Sequence, residues 1–263
     1  MKILVCFQIT NEYEPLTFEE WDSIAHGRNT LSLTKSAIDK VDEAGIETAL
    51  KLQDTCPTDK EVVVDVVTVA NSLSKGFATV LYAAGVRSVI LLKNSSDTDI
   101  GAVAVSEAVC ELVREEQYDL VFAGCQSSRN EGCKTGTLIS EILGWKSFLN
   151  VQSITIERDD GIKAVCRGSN GVVTFCAPMP AVCLMDDMCP VYLRVPTLKE
   201  RLRVKDREII VGNTSVKRAE CNDPRLVSLS AVDRRRNCIM LKCDRQDDMQ
   251  KLRKIIMGGE CNE

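Results

Sequence analysis

Histidine is almost absent from this chain, whose 263 residues contain only His26. Catalytic triads that depend on histidine and histidine-rich metal sites would have to use that one residue or not exist. Because His26 directly follows the segment 19–25, we interpret it as a surface residue near the end of a helix. The chain is therefore poor in the side chain that most often transfers protons in enzymes.

Three common sequence motifs are also absent. No Gly-x-Gly-x-x-Gly follows a predicted strand, no Gly-x-x-x-x-Gly-Lys-Ser/Thr occurs, and no Gly-x-Ser-x-Gly is present. These absences exclude the usual dinucleotide fingerprint, the P-loop and the nucleophile elbow of the α/β-hydrolases. Any phosphate that the chain binds must therefore be held in another way.

Long apolar runs and closely spaced cysteine pairs are missing too. The apolar run 3–7 is too short for a secretion signal, and no run approaches the roughly 18 apolar residues of a membrane span. The 13 cysteines are an odd number and include no Cys-x-x-Cys pair. We therefore predict buried free thiols, no metal site and a reducing, cytoplasmic compartment.

Charge and hydrophobicity are those of an ordinary globular protein. The chain has 33 Lys plus Arg against 38 Asp plus Glu, a net charge of -5, and 44% hydrophobic residues. An acidic chain has no general attraction for phosphate backbones, which excludes nucleic acid as the main partner. The length predicts one large domain or two small ones.

The order of apolar segments predicts an α/β fold. The predicted strands of the first half are 2–8, 61–70, 88–92 and 119–124, and the predicted helices are 42–52, 72–84, 97–116 and 135–143. This alternation implies right-handed crossovers and a mostly parallel sheet with helices on both faces. We therefore predict a doubly wound, Rossmann-like sheet.

The second half of the chain has a different pattern. Strand-like pieces at 151–157, 162–167 and 172–176, separated by turn signals, predict an antiparallel extension, and 181–185 adds one more strand. After residue 190 apolar density falls and charge rises, until an amphipathic helix is predicted at 247–257. We therefore place an α/β domain at 1–190 and an extended C-terminal arm at 191–263.

The carboxyl ends of the strands are the expected ligand site, where the strand order reverses. The loops after Val69 and after Ala123 lie at such ends. The second loop leads into Thr135-Gly136-Thr137, where unpaired amides and hydroxyls at a helix start could hold a phosphate, with Gly136 allowing close approach. An ordinary capped helix explains these residues equally well.

Two acidic pairs, Asp42-Glu43 and Asp186-Asp187, are further candidates for chemistry. No histidine or evident metal cluster accompanies either pair. The first begins a predicted helix, where the helix dipole favours acids, and the second ends a predicted strand. We interpret both as solvated or capping carboxylates.

Several segments have an order and a spacing that a known family shares. They are 1–6, Val41-Asp42-Glu43, 83–87, Asp119 to Trp145 with its Thr135-Gly136, 180–182, and Arg194-x-Pro196-x-Leu198-Lys199. Together they resemble the beta subunit of the electron transfer flavoproteins, in register from residue 1 to about residue 210. No single match is specific to this family, but the order and spacing of the matches are.

The resemblance implies an electron carrier rather than an enzyme. In that family the beta subunit has no catalytic residue, and it pairs with an alpha subunit that holds most of a redox FAD. Its own fold, of the adenine nucleotide-binding type, binds AMP, or a second FAD in electron-bifurcating members. The chain is then expected to pass electrons from a flavin-dependent dehydrogenase to a downstream acceptor, since the flavin performs the chemistry.

The resemblance also implies which residues bind the nucleotide and which bind the dehydrogenase. Carried over by position, the nucleotide site comprises Cys6, Asp39, Lys40, Val41, Asp42, Val69, Gly124, Cys125, Gln126, Ser127, Ser128, Arg129, Asn130, Glu131, Gly132, Cys133, Lys134, Thr135, Gly136 and Thr137. The docking site comprises Arg194, Leu198 and Lys199, with the leucine as an apolar anchor inside a charged rim. Alternatively, Leu198 pins this loop to its own core.

The chain departs from the family pattern at several positions, which marks a divergent member. Asp39-Lys40-Val41 stands where the family usually has Asn-Pro-Phe, Arg129 replaces Asp, and Thr137 replaces Gln. The nucleotide could therefore differ from AMP or be missing.

Two other functions compete with the electron carrier. A stand-alone, stress-type regulator would form homodimers and bind ATP without flavin. An ATP-dependent hydrolase or ligase would need metal-binding carboxylates near the Gly124 loop, where only Glu131 is available.

Overall fold

The computed structural model describes residues 1–11, 17–26, 36–56, 61–93, 101–125, 133–157, 161–186, 188–189, 191–213, 239–242 and 244–256. Contacts divide the chain into two compact units. The first contains Met1–Leu16 and Leu31–Arg225, and the second contains Thr17–Thr30 and Leu226–Glu263.

The strands all belong to the first unit. They are β1 (Lys2–Cys6), β2 (Ile9–Asn11), β3 (Ser36–Ile38), β4 (Val63–Ala70), β5 (Ser88–Lys93), β6 (Leu120–Gly124), β7 (Lys146–Ile156), β8 (Gly161–Gly168), β9 (Gly171–Pro178), β10 (Ala181–Met185) and β11 (Ile210–Asn213). The helices of the second unit are α1 (Phe18–Ala25) and α7 (Gln246–Ile256). Those of the first are α2 (Lys40–Thr55), α3 (Lys75–Ala84), α4 (Ala102–Glu116), α5 (Lys134–Leu143) and α6 (Leu198–Arg203).

One sheet of nine strands organises the first unit, in the order β11-β5-β4-β1-β6-β10-β7-β8-β9. The pairs from β11 to β7 are parallel, whereas β7 with β8 and β8 with β9 are antiparallel. This confirms the predicted α/β fold with a mostly parallel sheet and an antiparallel extension. Strands β2 and β3 form a separate antiparallel pair.

Alternating side chains of the strands contact different helices. Ile3 and Val5 of β1 pack with residues of α2 and α3, whereas Leu4 packs with residues of α4 and α5. Side chains that point to both faces are apolar because both faces are covered, which explains the continuous apolar runs of these strands. Helices α3 and α5 end at Gly85 and Gly144, both with left-handed backbone, as predicted.

The strand predicted at 151–157 begins earlier than expected. It pairs antiparallel with β8 from Val151 onward, as predicted, but β7 begins at Lys146 and its first half runs parallel to β10. All five residues of β10 are fully buried, so this apolar strand occupies a central position between β6 and β7. The antiparallel part of the sheet therefore begins only at β8.

Short or polar elements escaped prediction. They are β2, β3, α6 and β11, which have three to six residues each. Elements of this length carry too few apolar residues to show a period. Strand β11 joins the main sheet beside β5, so the segment after residue 190 contributes to the first unit.

His26 lies just after α1 with an exposed side chain, as predicted. Among the described residues, no helix combines the length and the apolar character needed to cross a bilayer.

Helix α5 lies unusually close to the sheet because of Gly136. A Cβ atom at this position would come within 2.9 Å of Leu184 Cγ in β10 and 3.3 Å of Ala123 Cβ in β6. Two strands thus block the space that a side chain would need. The contact depends on glycine at that position.

We expect Gly136→Ala to lower the free energy of unfolding by about 1–3 kcal/mol, because a closely packed core resists an extra methyl group. Gly76→Ala is the matched control, since Gly76 also lies in a first helical turn but its Cβ would meet nothing nearer than Ser74 Oγ at 3.6 Å. The free energy of unfolding of Gly76→Ala should equal that of the wild type or exceed it by up to about 1 kcal/mol. Urea unfolding measures both, and equal effects of the two substitutions would contradict the packing argument.

Candidate functional site

The predicted switch point lies between β1 and β6. Strand β1 pairs with β4 on one side and β6 on the other, and the chain crosses from one side to the other through α4. The carboxyl ends of these three strands therefore meet at one edge of the sheet, with Val69, Cys6 and Gly124 at or near their last positions. In doubly wound sheets ligands bind at such an edge.

Asp42 of α2 joins the two strand ends at the switch point. Its carboxylate accepts a hydrogen bond from the Gln8 backbone N–H at 2.8 Å and another from the backbone of Gly124. Asp39, the N-cap of α2, is tied to the same place because its own N–H donates to the Gln8 carbonyl at 3.0 Å. The start of α2 and the ends of β1 and β6 thus form one hydrogen-bonded group.

Burial dominates the ionisation of this group. Desolvation and, to a lesser extent, the neighbouring Asp39 raise the pKa of Asp42 to about 8, although the two backbone amides oppose the shift. Burial likewise raises the pKa of the Cys6 thiol, helped by Asp42 and Cys110. The interpretation of Asp42 as a solvated or capping acid was wrong, because this carboxyl is buried against two strands.

Asp186, at the end of β10, is a second buried carboxyl that we had interpreted as solvated or capping. It accepts two hydrogen bonds from the Arg167 guanidinium at 2.7 and 2.5 Å, and one from Gln152 Nε2 at 3.0 Å. The sequence offered no sign of this pair, because Arg167 lies in the antiparallel β8. The interaction fastens that hairpin to the central sheet, while Asp187 lies outside the described residues.

The start of α5 supplies hydrogen-bond donors at the same edge. Cys133 is the N-cap, and its carbonyl accepts hydrogen bonds from the Thr137 N–H at 3.2 Å and the Thr137 hydroxyl at 2.6 Å. By helix geometry the N–H groups of Lys134, Thr135 and Gly136 have no partner within the helix. These amides, with the exposed Lys134, fit an anion such as a phosphate.

The predicted role of Gly136 needs correction. We expected the absence of a side chain to let a phosphate approach the backbone. However, a side chain at this position would point toward Leu184 and Ala123 of the sheet. Glycine is required here so that α5 can approach the strands. Its N–H remains one of the first-turn donors.

Cys125 and Cys133 are joined by a disulfide, which corrects the prediction that the cysteines are free thiols. The other described cysteines, namely Cys6, Cys56, Cys110, Cys166, Cys176, Cys183 and Cys189, are free. The two cysteines are eight positions apart, and nothing in the sequence pattern indicated that they pair. Residues 126–132, the rest of the predicted nucleotide loop, lie outside the described residues.

The structure thus brings the described members of the predicted nucleotide site to one edge. Asp39, Val41 and Asp42 are buried there at the start of α2, whereas Lys40 and Lys134 are exposed. The analysis of the sequence missed Gln8, whose backbone amide binds Asp42, and Asn150, which contacts Cys125. A backbone contact leaves no residue-type signal that could have revealed it.

The predicted docking segment is fastened to α2 through Arg194. Its guanidinium donates to the buried Glu47 at 3.0 Å and to Asp54 at 2.7 Å. Arg194 therefore positions the segment. Immediately beyond it, a capping box between Thr197 and Glu200 begins α6.

Leu198, the first residue of α6, has 74% of its surface exposed. This overturns the alternative that Leu198 pins the loop to its own core. Val195, Leu202 and Tyr192 are also exposed nearby in the sequence, and Lys199 is exposed beside them. The segment is thus held firmly at Arg194 and presents apolar side chains to solvent.

A cavity at the opposite edge of the sheet has a different character. Its walls include Asp65, Arg87 and Tyr118, near the amino ends of β4, β5 and β6. The Asp65 carboxylate is satisfied within the protein, since it accepts hydrogen bonds from the Arg87 guanidinium and from the Tyr118 hydroxyl at 2.9 Å. We interpret this cluster as structural.

Comparisons with known proteins agree with this arrangement. Residues 31–189 match the model of the electron transfer flavoprotein domain family. The chain is 25% identical over 257 residues to the "Putative electron transfer flavoprotein subunit YgcR" of Escherichia coli strain K12, covering 97% of this chain and 96% of that protein. It is 27% identical over 231 residues to the "Probable electron transfer flavoprotein subunit beta" of Schizosaccharomyces pombe, covering 86% and 87%. It is 30% identical over 129 residues to the electron transfer flavoprotein subunit beta of Methylophilus methylotrophus, covering 48% and 47%.

The raised pKa of Asp42 predicts how stability depends on pH. Because the pKa in the folded state, about 8, exceeds the ordinary aspartate value of 3.8, the contribution of Asp42 to stability is complete at low pH and is lost as pH rises toward 8. We expect Asp42→Asn to remove this loss. The free energy of unfolding of the variant should therefore rise relative to that of the wild type by up to about 1.4 kcal/mol per pH unit in that window.

Urea unfolding between pH 5 and 9 measures the effect. Loss of one acceptor oxygen changes the free energy of unfolding of Asp42→Asn by the same amount at every pH. The test is therefore the slope of the free energy of unfolding against pH. Glu115→Gln, at an exposed carboxyl of α4, is the control and should follow the wild-type slope. Parallel curves for Asp42→Asn and the wild type would show that the carboxyl does not titrate in this window.

Proposed function

Because this chain belongs to the electron transfer flavoprotein domain family, which matches residues 31–189, we propose that it is the beta subunit of a heterodimeric electron transfer flavoprotein. In this proposal it pairs with an alpha subunit and passes electrons from a flavin-dependent dehydrogenase to a downstream acceptor. Proteins of this family are electron carriers rather than enzymes. The observation that carries the proposal is the family match, supported by relatives named as beta subunits over most of the chain.

We further propose that the carboxyl edge of β4, β1 and β6 binds an adenine nucleotide, either AMP or a second FAD. The support is the donor set at the start of α5, with the amides of Lys134, Thr135 and Gly136 directed at the edge where ligands of such sheets bind. Asp39 and Asp42 position the opposite wall through their contacts with Gln8. Gly124 and Val69 complete that wall at the ends of their strands.

FAD, when held between the two subunits, would supply the one- and two-electron chemistry. The contribution of this chain is to bind, orient and dock. We assign the docking of the dehydrogenase to Leu198 and Lys199, since Arg194 is engaged with Glu47 and Asp54 and holds the segment in place. An exposed leucine beside a basic residue suits an interface with an apolar anchor and a charged rim.

We also place the protein in the cytoplasm. Seven of the nine described cysteines are free thiols, among them the exposed Cys176. Free and exposed thiols persist in reducing compartments.

The nucleotide proposal predicts a bound small molecule. Co-expression with the alpha subunit should yield a complex that absorbs as a flavoprotein, and denaturing it should release FAD together with AMP or further FAD. Chromatography of the released molecules and calorimetry with AMP and FAD measure this. A stable homodimer that binds ATP and holds no flavin would instead favour the stress-type regulator.

The docking proposal predicts a large effect of Leu198→Ala. Loss of an apolar anchor costs about 1.4 kcal/mol or more, so the KM of the dehydrogenase for this carrier should rise about tenfold. Leu149→Ala is the control, because Leu149 lies on β7, away from the docking segment, and is also exposed. Steady-state electron transfer measures both variants, and an unchanged KM for Leu198→Ala would remove this residue from the interface.

A further inference from the structure

We propose that Cys125 and Cys133 form a reversible redox site, whose disulfide a dithiol reductant opens and a disulfide oxidant closes. The state of this site sets how firmly the start of α5 is held at the end of β6. The consequence for nucleotide affinity rests on the proposed function, whereas the redox site itself does not.

The two cysteines join the elements that build the carboxyl edge. Cys125 directly follows β6, is buried, and donates its backbone N–H to the Met185 carbonyl of β10 at 2.9 Å. Cys133 is the N-cap of α5. Their Cα atoms are 4.5 Å apart, within the span of protein disulfides. The bond therefore links a residue anchored in the sheet to the start of a helix.

The surrounding cysteines distinguish this pair from a structural framework. Every other described cysteine is a free thiol, including the buried Cys110 and Cys183 and the exposed Cys176. Secreted proteins that use disulfides for stability pair most of their cysteines. Where the neighbouring thiols are free, as in the described part of this chain, an intramolecular disulfide is typical of a redox-sensing site.

Asn150 provides a partner for the reduced form. Its Oδ1 lies 3.2 Å from Cys125 Sγ, while its Nδ2 donates to the Arg167 carbonyl at 3.4 Å and so directs the oxygen toward the sulfur. A disulfide sulfur has no hydrogen to donate, whereas the thiol of reduced Cys125 would donate to this oxygen. The site thus holds an acceptor that only the reduced form uses.

The backbone at Asn150 supports the same interpretation. Asn150 has a left-handed φ of 53°, an uncommon conformation for a residue other than glycine. It lies in the middle of β7, where the pairing of this strand with β10 shifts register between Cys183 and Met185. This conformation places the amide beside the sulfur of Cys125.

Reduction is a two-step exchange. A thiolate of the dithiol reductant attacks Sγ of the half-buried Cys133, the S–S bond breaks, and Cys125 leaves as a thiolate that takes up a proton. The second thiolate of the reductant then attacks the mixed disulfide and releases Cys133 as a thiol after protonation. Two electrons and two protons thus pass to the protein, and the reductant becomes a disulfide. Oxidation reverses both steps.

The bond should strengthen nucleotide binding. It holds the N-cap of α5 against a residue of the sheet, so the amides of Lys134, Thr135 and Gly136 need less ordering when a phosphate binds. Preorganisation of this kind raises affinity by lowering the entropic cost. Reduction removes the tie and should lower the affinity.

Alkylation after redox treatment tests the redox site. One sample of the folded protein is treated with oxidised and another with reduced dithiothreitol, exchange is stopped with acid, and the protein is unfolded so that buried thiols react; free thiols are then labelled and located by peptide mass spectrometry. Cys125 and Cys133 should be protected after oxidation and labelled together after reduction, while Cys176 is labelled in both. Cys176→Ser is the control and should leave the result unchanged. Labelling of Cys125 or Cys133 in the oxidant-treated protein, with the fold intact, would overturn the proposal.

Asn150→Gly tests the partner of the reduced form. Glycine keeps the left-handed backbone but removes the amide oxygen, so the equilibrium with a dithiol buffer should shift toward the disulfide by about three- to tenfold, as expected for loss of one hydrogen bond. A merely structural role of Asn150 would alter the free energy of unfolding without moving this equilibrium. An unchanged equilibrium would remove Asn150 from the site.

Calorimetry with AMP and with FAD tests the consequence for binding. The oxidised protein should bind its nucleotide about fivefold more tightly than the reduced protein, and Cys133→Ser should match the reduced protein. Equal affinities would overturn the coupling between the redox site and α5. If neither nucleotide binds in either state, the nucleotide part of the proposed function fails, while the alkylation result still decides the redox site.

Discussion

A buried carboxyl at the switch point is the constraint on which the carboxyl edge of the sheet depends. The strand order reverses between β1 and β6, and the start of α2 meets the ends of both strands there. Asp42 accepts from both ends, and Asp39 binds Gln8 from the same helix. These contacts fix the start of α2 relative to the two strands.

Other buried acids in the first unit are neutralised differently. Asp65 pairs with Arg87, Asp186 with Arg167, and Glu47 with Arg194, and each pair fastens a later part of the chain to the central sheet or its helices. Pairing suits a structural carboxylate, because the cation offsets the cost of leaving water. Asp42 instead meets two backbone amides and an acidic neighbour, and burial together with that neighbour raises its pKa to about 8 in spite of the amides. Asp42 lies where a ligand is expected, and carboxyls with a shifted pKa are common at functional sites.

Apolar patterning accounts for how much of the fold could be predicted. The strands 61–70 and 181–185 and the helices that end at Gly85 and Gly144 are long or strongly apolar, and the structure contains each of them. The first half of β7 and its parallel pairing with β10 were not predicted, because the central position of β10 depends on a connection that no local pattern encodes. The candidate site was located from strand ends and family resemblance, but the role of Gly136 was misjudged, since local sequence does not show which side of a helix faces the sheet.

The sequence by itself determined the class of fold and the family, and it indicated the edge of the sheet that we propose as the nucleotide site, because all three follow from the order of apolar segments and short motifs along the chain. Only the tertiary structure decided what the side chains at that edge do. It buried Asp42 between two strands, set Gly136 against Leu184, joined Cys125 to Cys133, and left Leu198 exposed. Each of these outcomes depends on packing between segments that are distant in the sequence or on the direction in which a side chain points, and neither is readable from residue types alone.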